Sequence, residues 1–129
     1  MTPTIDRNTK GVFIIAATPF TESGALDLES TDRLLDFYLE CGVDGVTILG
    51  VMGEAPKLSG AESYTFTRHV LKRIDNRVPV VVGVSSAGLD NMSAIVKESM
   101  DSGAAGVMVA PSPGLATEVD VKRYFSSVT

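Results

Sequence analysis

The 129-residue chain has one cysteine, Cys41, and one histidine, His69. A single thiol forbids an internal disulfide and fits a reducing cytoplasm. With one of each, no zinc site of the usual Cys/His kinds can be built, and no metal or other cofactor is expected. No apolar run reaches the 18 or so residues that a bilayer span needs. The polar start, MTPTIDRNTKG, lacks the apolar segment of a signal peptide. The 11 Lys+Arg and 16 Asp+Glu are scattered, for a net charge of −5. There is no basic run, so nothing argues for nucleic acid or an anionic membrane as partner. No Gly-x-Ser-x-Gly elbow occurs, and Ser85 and Ser86 have no histidine near them in sequence, so they read as loop serines. What remains is 44% hydrophobic and 21% charged residues, the balance of one globular core.

Gly11 to Phe20 is a near-continuous apolar run closed by Thr18-Pro19-Phe20 and predicts a strand buried on both faces. Asp27 is placed to cap a helix carrying Leu28, Leu35 and Leu39, with Asp32, Asp36 and Glu40 on its other side. Cys41, a small apolar residue at the helix end, and Gly42 at C′ close it. Gly45 to Leu49 predicts a second strand, running into the loop Gly50-Val51-Met52-Gly53-Glu54. Ser59 and Glu62 form a capping box for a helix with Tyr64, Thr67, Leu71 and Ile74 on one face, where His69 reads as solvated or half-buried. Val78 to Val84 predicts a third strand, and Met92, Ile95, Val96 and Met100 mark the next helix. Gly106 to Ala110 predicts a fourth strand, and Thr117 opens a last helix. The segments Cys41-Gly42-Val43-Asp44-Gly45-Val46 and Ser102-Gly103-Ala104-Ala105-Gly106-Val107 repeat one pattern at two helix-to-strand joints. Such alternation belongs to parallel α/β architecture: a doubly wound sheet or part of a (β/α)₈ barrel. The doubly wound reading lacks a fifth strand and acidic strand ends. In either case the chemistry belongs at the carboxyl ends of the strands.

At those ends the sequence resembles the dihydrodipicolinate synthase/N-acetylneuraminate lyase family, the Schiff-base aldolases. The resemblance rests on Thr18-Pro19, on Gly45 to Glu54 followed by Glu62, on Val78 to Val84, and on Ala110-Pro111. It implies the amino-terminal half of a (β/α)₈ TIM barrel, with residues 1–10 an extension and residues 11–129 four βα units that stop within the fourth helix. Such a barrel typically takes about 250 residues, so the length reads as a truncation.

By the same resemblance, the full-length protein is a carbon–carbon or carbon–oxygen lyase acting on a 2-oxo acid of the pyruvate type through a Schiff base. Its lysine lies on the sixth strand and its relay tyrosine on the fifth, both beyond residue 129, so no catalytic residue is assigned within the chain and the fragment is expected to be inactive. Lys57, the one lysine on a loop of the catalytic face, does not match that position. The substrate-binding candidates are Thr18, Gly50, Val51, Met52, Gly53 and Ser112, with Glu54 bracing the loop. Val51 and Met52 stand where the family has hydroxyl residues, which leaves backbone N–H groups as donors. Ser112 and Pro113 stand where synthases place an aromatic hydroxyl. Both differences point to a divergent member, acting on another 2-oxo acid or as a dehydratase. A cytoplasmic homo-oligomer is implied for the full-length form. The competing expectation is a non-catalytic α/β module that binds a small anion at the Gly50 to Glu54 loop.

Overall fold

The computed structural model describes residues 2–129. Four strands, β1 (Phe13–Ile15), β2 (Gly45–Ile48), β3 (Val80–Gly83) and β4 (Gly106–Met108), alternate with helices α1 (Leu28–Glu40), α2 (Gly60–Ile74), α3 (Leu89–Asp101) and α4 (Glu118–Val128). All strand pairs are parallel and the sheet order is β1-β2-β3-β4. Sequential order, with α1 packed on α2 and α2 on α3, means that the chain winds in one direction and keeps its helices on one face. A doubly wound sheet reverses its strand order and covers both faces, so that alternative is excluded.

The register sorts side chains between the two faces. Ile14, Val46, Ile48, Val80, Val82 and Val107 point toward the helices and join the core with Leu35, Phe66, Val70, Ile74 and Met92. Phe13, Ile15, Thr47, Val81 and Met108 fall on the opposite, helix-free face.

The helix starts follow the sequence signals. The Asp27 carboxylate accepts the N–H of Ser30 at 2.8 Å, and Thr117 Oγ1 accepts that of Asp120 at 3.1 Å. Ser59 and Glu62 complete a reciprocal capping box, at 3.2 and 2.8 Å. No helix is long and apolar enough to cross a membrane among the described residues.

Several expectations change. The first apolar run yields a strand of three residues, and Val12 and Ile15 are exposed rather than buried on both faces. Among the described residues, β1 has a neighbour on one side only, β2. On α2 the buried positions are Phe66, Thr67, Val70 and Ile74. Tyr64 is exposed, and its hydroxyl takes a hydrogen bond from Arg68 at 2.8 Å. Met100 and Cys41 are also exposed. Asp32 and Asp36, half exposed on the side of α1 away from its leucines, also bind across to α2: Asp32 meets His69 Nε2 at 2.7 Å, and Asp36 pairs with Arg73. That contact holds the Asp36 carboxyl below its ordinary value.

Candidate functional site: the carboxyl ends of the strands

The loop after β2 begins with a residue that sequence reasoning passes over. Leu49 is buried and sits at φ 55°, in the left-handed region. That reversal ends the strand and turns the Leu49 carbonyl toward β3. A Cβ on Gly83 would lie 2.1 Å from this oxygen, so β3 needs glycine there. The available signal was a glycine closing the β-branched run Val80-Val81-Val82.

Gly50 is buried, in the cleft between Met108 and Ile15. Gly53 is closely confined, because a Cβ would come within 2.9 Å of the Leu49 nitrogen. Two turns close the loop, as Gly53 N–H donates to Gly50 O and Glu54 N–H to Val51 O, both at 3.1 Å. Thr18, buried at the end of the β1 segment, donates its hydroxyl to Gly53 O at 2.6 Å. Thr18 therefore holds the loop in place through a backbone atom.

Val51 and Met52, at the tip, are 93% and 64% exposed. Among the described residues, no protein acceptor takes the N–H groups of Val51 and Met52. Two adjacent N–H groups without a protein acceptor, at an exposed turn, are donors available to an anion. The Glu54 carboxylate meets Lys57 at 2.8 Å and not the loop backbone.

Across the sheet, Ser85 Oγ accepts the N–H of Ala110 at 2.8 Å and ties the loop after β3 to the end of β4. Ser112 is half-buried on the loop after β4, and its carbonyl accepts the N–H of Leu115 at 3.5 Å. Thr18 and the glycine loop are thus joined, whereas Ser112 makes no hydrogen bond to that loop among the described residues. Among the same residues no group of three His, Cys, Asp or Glu side chains gathers as for a metal ion.

Four parallel βα units wound in one direction define one half of a (β/α)₈-barrel protein and match its amino-terminal half. The sequence profile of the Dihydrodipicolinate synthetase family matches residues 8–129, and the chain belongs to that family. A 4-hydroxy-tetrahydrodipicolinate synthase of Coxiella burnetii is 27% identical over 119 residues, covering 92% of this chain and 41% of the relative. The crystal structure of the dihydrodipicolinate synthase from Rhodopseudomonas palustris is 45% identical with a TM-score of 0.91, covering 97% of this chain and 41% of that one. A prophage protein of the dihydrodipicolinic acid synthase family from E. coli K12, solved in complex with pyruvate, is 32% identical with a TM-score of 0.81, covering 90% of this chain and 40% of its own. The chain thus spans about two fifths of the length of the relatives it matches.

Proposed function

We propose that this chain forms the carboxylate-holding part of a lyase that acts on a 2-oxo acid through a Schiff base, in a cytoplasmic, homo-oligomeric protein of the length of its relatives. The observation that carries this is the Gly50 to Gly53 loop, whose Val51 and Met52 N–H groups have no acceptor among the described residues, at the carboxyl end of β2. A 2-oxo acid presents a carboxylate beside its carbonyl. Held by two N–H groups, the carboxylate leaves the carbonyl facing the barrel axis, where a lysine amine can add to it. The protonated imine that follows loss of water draws electrons from the adjacent carbon, which permits carbon–carbon or carbon–oxygen bond cleavage.

Each residue of the loop has a part in that task. Leu49 and Glu54 make the left-handed turns at either end of the loop, and Gly50 and Gly53 supply the room it needs against Met108 and the Leu49 backbone. Thr18 fixes Gly53 and, through it, the direction of the Val51 and Met52 N–H groups. The apolar tips of Val51 and Met52 shape the mouth and favour an acid with a less polar tail than hydroxyl residues would. Ser112 contributes from the opposite rim. The amine and the proton relay are assigned to a lysine and a tyrosine beyond residue 129. Support comes from the family membership and from the pyruvate complex of the E. coli relative.

The test is borohydride reduction in the presence of pyruvate. The protein extended to the length of its relatives should gain the mass of one reduced adduct on one lysine, and the 129-residue chain should gain none. No adduct in the longer protein with any of a range of 2-oxo acids overturns the reading.

A further inference from the structure

The loop after β2 meets only part of what a carboxylate can accept. An ionised carboxylate offers about four acceptor sites, and the Val51 and Met52 N–H groups answer two of them. The side chains of Val51 and Met52 carry no hydroxyl to add a further bond. Other hydroxyls stand near this end of the sheet. Thr18 gives its proton to Gly53 O and is committed there. Ser86 Oγ accepts from Asn91 Nδ2 at 2.8 Å, so it faces α3. Ser112 follows β4, two strands away from the loop.

Ser85 is placed differently. Val82 and Val84 are buried in the core under the helices, so by alternation Gly83 and Ser85 face the helix-free side. Gly83 lies against the start of the loop, since a Cβ there would come within 2.1 Å of Leu49 O and 3.2 Å of Gly50 N. Ser85 stands two residues further along the same face, about 7 Å at the rise of an extended strand. The strands are still in register at Val84, whose N–H donates to Met108 O at 3.0 Å. The next bond of a parallel ladder would run from Ala110 N–H to Val84 O. In its place Ser85 Oγ accepts that N–H, at 2.8 Å. This bond fixes the serine oxygen and turns its proton away from β4. No acceptor among the described residues takes that proton. An oriented hydroxyl donor, on the strand beside the loop and at the same end of the sheet, is suited to a negatively charged oxygen.

We propose that Ser85 is a substrate-binding residue, whose hydroxyl donates to the carboxylate held by the Val51 and Met52 N–H groups. It supplies from β3 the hydroxyl that the loop itself lacks. The inference rests on the lyase reading and adds to it a residue that tells a carboxylate from a neutral group.

Borohydride trapping over a range of ligand concentrations tests it, in the protein extended to the length of its relatives. Pyruvate is the acid and methyl pyruvate its neutral counterpart. Ser85→Ala should raise the pyruvate concentration for half-maximal trapping about 10-fold or more, and that for the ester by about two-fold or less. Ser85→Thr keeps the donor and should restore the parent value. Ser86→Ala, on the α3 side, should leave both ligands unchanged. Equal weakening toward acid and ester overturns the proposal, because Ser85 would then act only through Ala110 and the fold. A Ser85→Ala protein with the parent's affinity for pyruvate overturns it too. Should Ser85→Ala fail to fold by far-ultraviolet circular dichroism, Ser85→Cys, close in size and a weaker donor, carries the same comparison. No adduct in the unsubstituted protein with any 2-oxo acid overturns the lyase reading and this inference with it. An adduct whose preference for the carboxylate is indifferent to Ser85 overturns this inference alone.

Discussion

The joints before β2 and β4 follow one pattern and end in different surroundings. At each, the helix is capped by a right-handed residue, Cys41 or Ser102, and a glycine at positive φ follows, Gly42 at 79° or Gly103 at 101°. The closing hydrogen bonds match, Gly42 N–H to Leu39 O and Gly103 N–H to Met100 O, both at 3.0 Å. Each joint then starts a strand with Gly-Val. Yet all four residues of β2 are buried, whereas β4 is half-buried and ends exposed. Local chemistry builds the same joint twice, and burial depends on whether a strand has one neighbour or two. The described residues therefore form a more buried centre, β2 and β3 under α2, between two more exposed flanks.

Paired substitutions separate centre from flank. Phe66→Ala empties a buried position on α2 and should cost about 3–5 kcal/mol. Phe37→Ala, at an exposed position on α1, should stay within about 0.5 kcal/mol. Urea unfolding followed by circular dichroism measures both, and equal costs would end the distinction. Glycine offers a second pair. Gly83→Ala drives a Cβ toward the Leu49 carbonyl and should cost about 1–3 kcal/mol. Gly106→Ala, at the start of β4, meets only Ile5 Cδ1 at an ordinary 3.7 Å and should be near neutral, within about 0.5 kcal/mol.

The same division governs how much of the structure the sequence made legible. Caps and alternation are local, so Asp27, Ser59 with Glu62, Thr117 and the four βα units were readable from residue types and spacing. Strand neighbours are not local. Gly11 to Phe20 is as apolar as a central strand, and only the sheet order shows that β1 has one neighbour among the described residues. The partners of Asp32 and Asp36 were missed for a related reason, because Arg73 and His69 lie 37 residues away on another helix. At the candidate site, the glycines and Thr18 could be named from the motif. The left-handed turn at Leu49 carries no residue signal, since leucine seldom adopts it. Its consequence, the need for Gly83 on the next strand, was hidden with it.

Thr18 links flank to centre, since it reaches from the end of the β1 segment to a loop on β2. Thr18→Val keeps the shape and removes the buried hydroxyl, leaving Gly53 O without its donor, at a cost of about 1–2 kcal/mol. Thr18→Ser keeps the donor and should recover most of that loss. Thermal unfolding of the two variants gives the comparison. A Val variant as stable as the parent would show that the loop stands without its tie to the flank.

Acid should loosen the flank before the centre. The Asp27 carboxyl lies below its ordinary 3.8, chiefly because it accepts the Ser30 N–H. Asp36 lies below 3.8 as well, chiefly through its hydrogen bonds from Arg73. Both folded-state values are lowered, so folding is favoured while these groups are ionised. Their contribution is complete above the unfolded value near 3.8 and fades as pH falls through the lower folded values. Both groups serve α1, one capping its start and the other tying it to α2. Central strands β2 and β3 contain no ionisable side chain and have no such dependence of their own. Hydrogen-exchange protection should therefore fall first along α1 as pH drops below 3.8, while the amides of β2 and β3 hold. Asp27→Asn keeps an acceptor oxygen at the cap but cannot ionise, so its difference from the parent should shrink as the acid limit is approached. Simultaneous loss of protection in α1, β2 and β3 would mean that the flank opens only together with the centre.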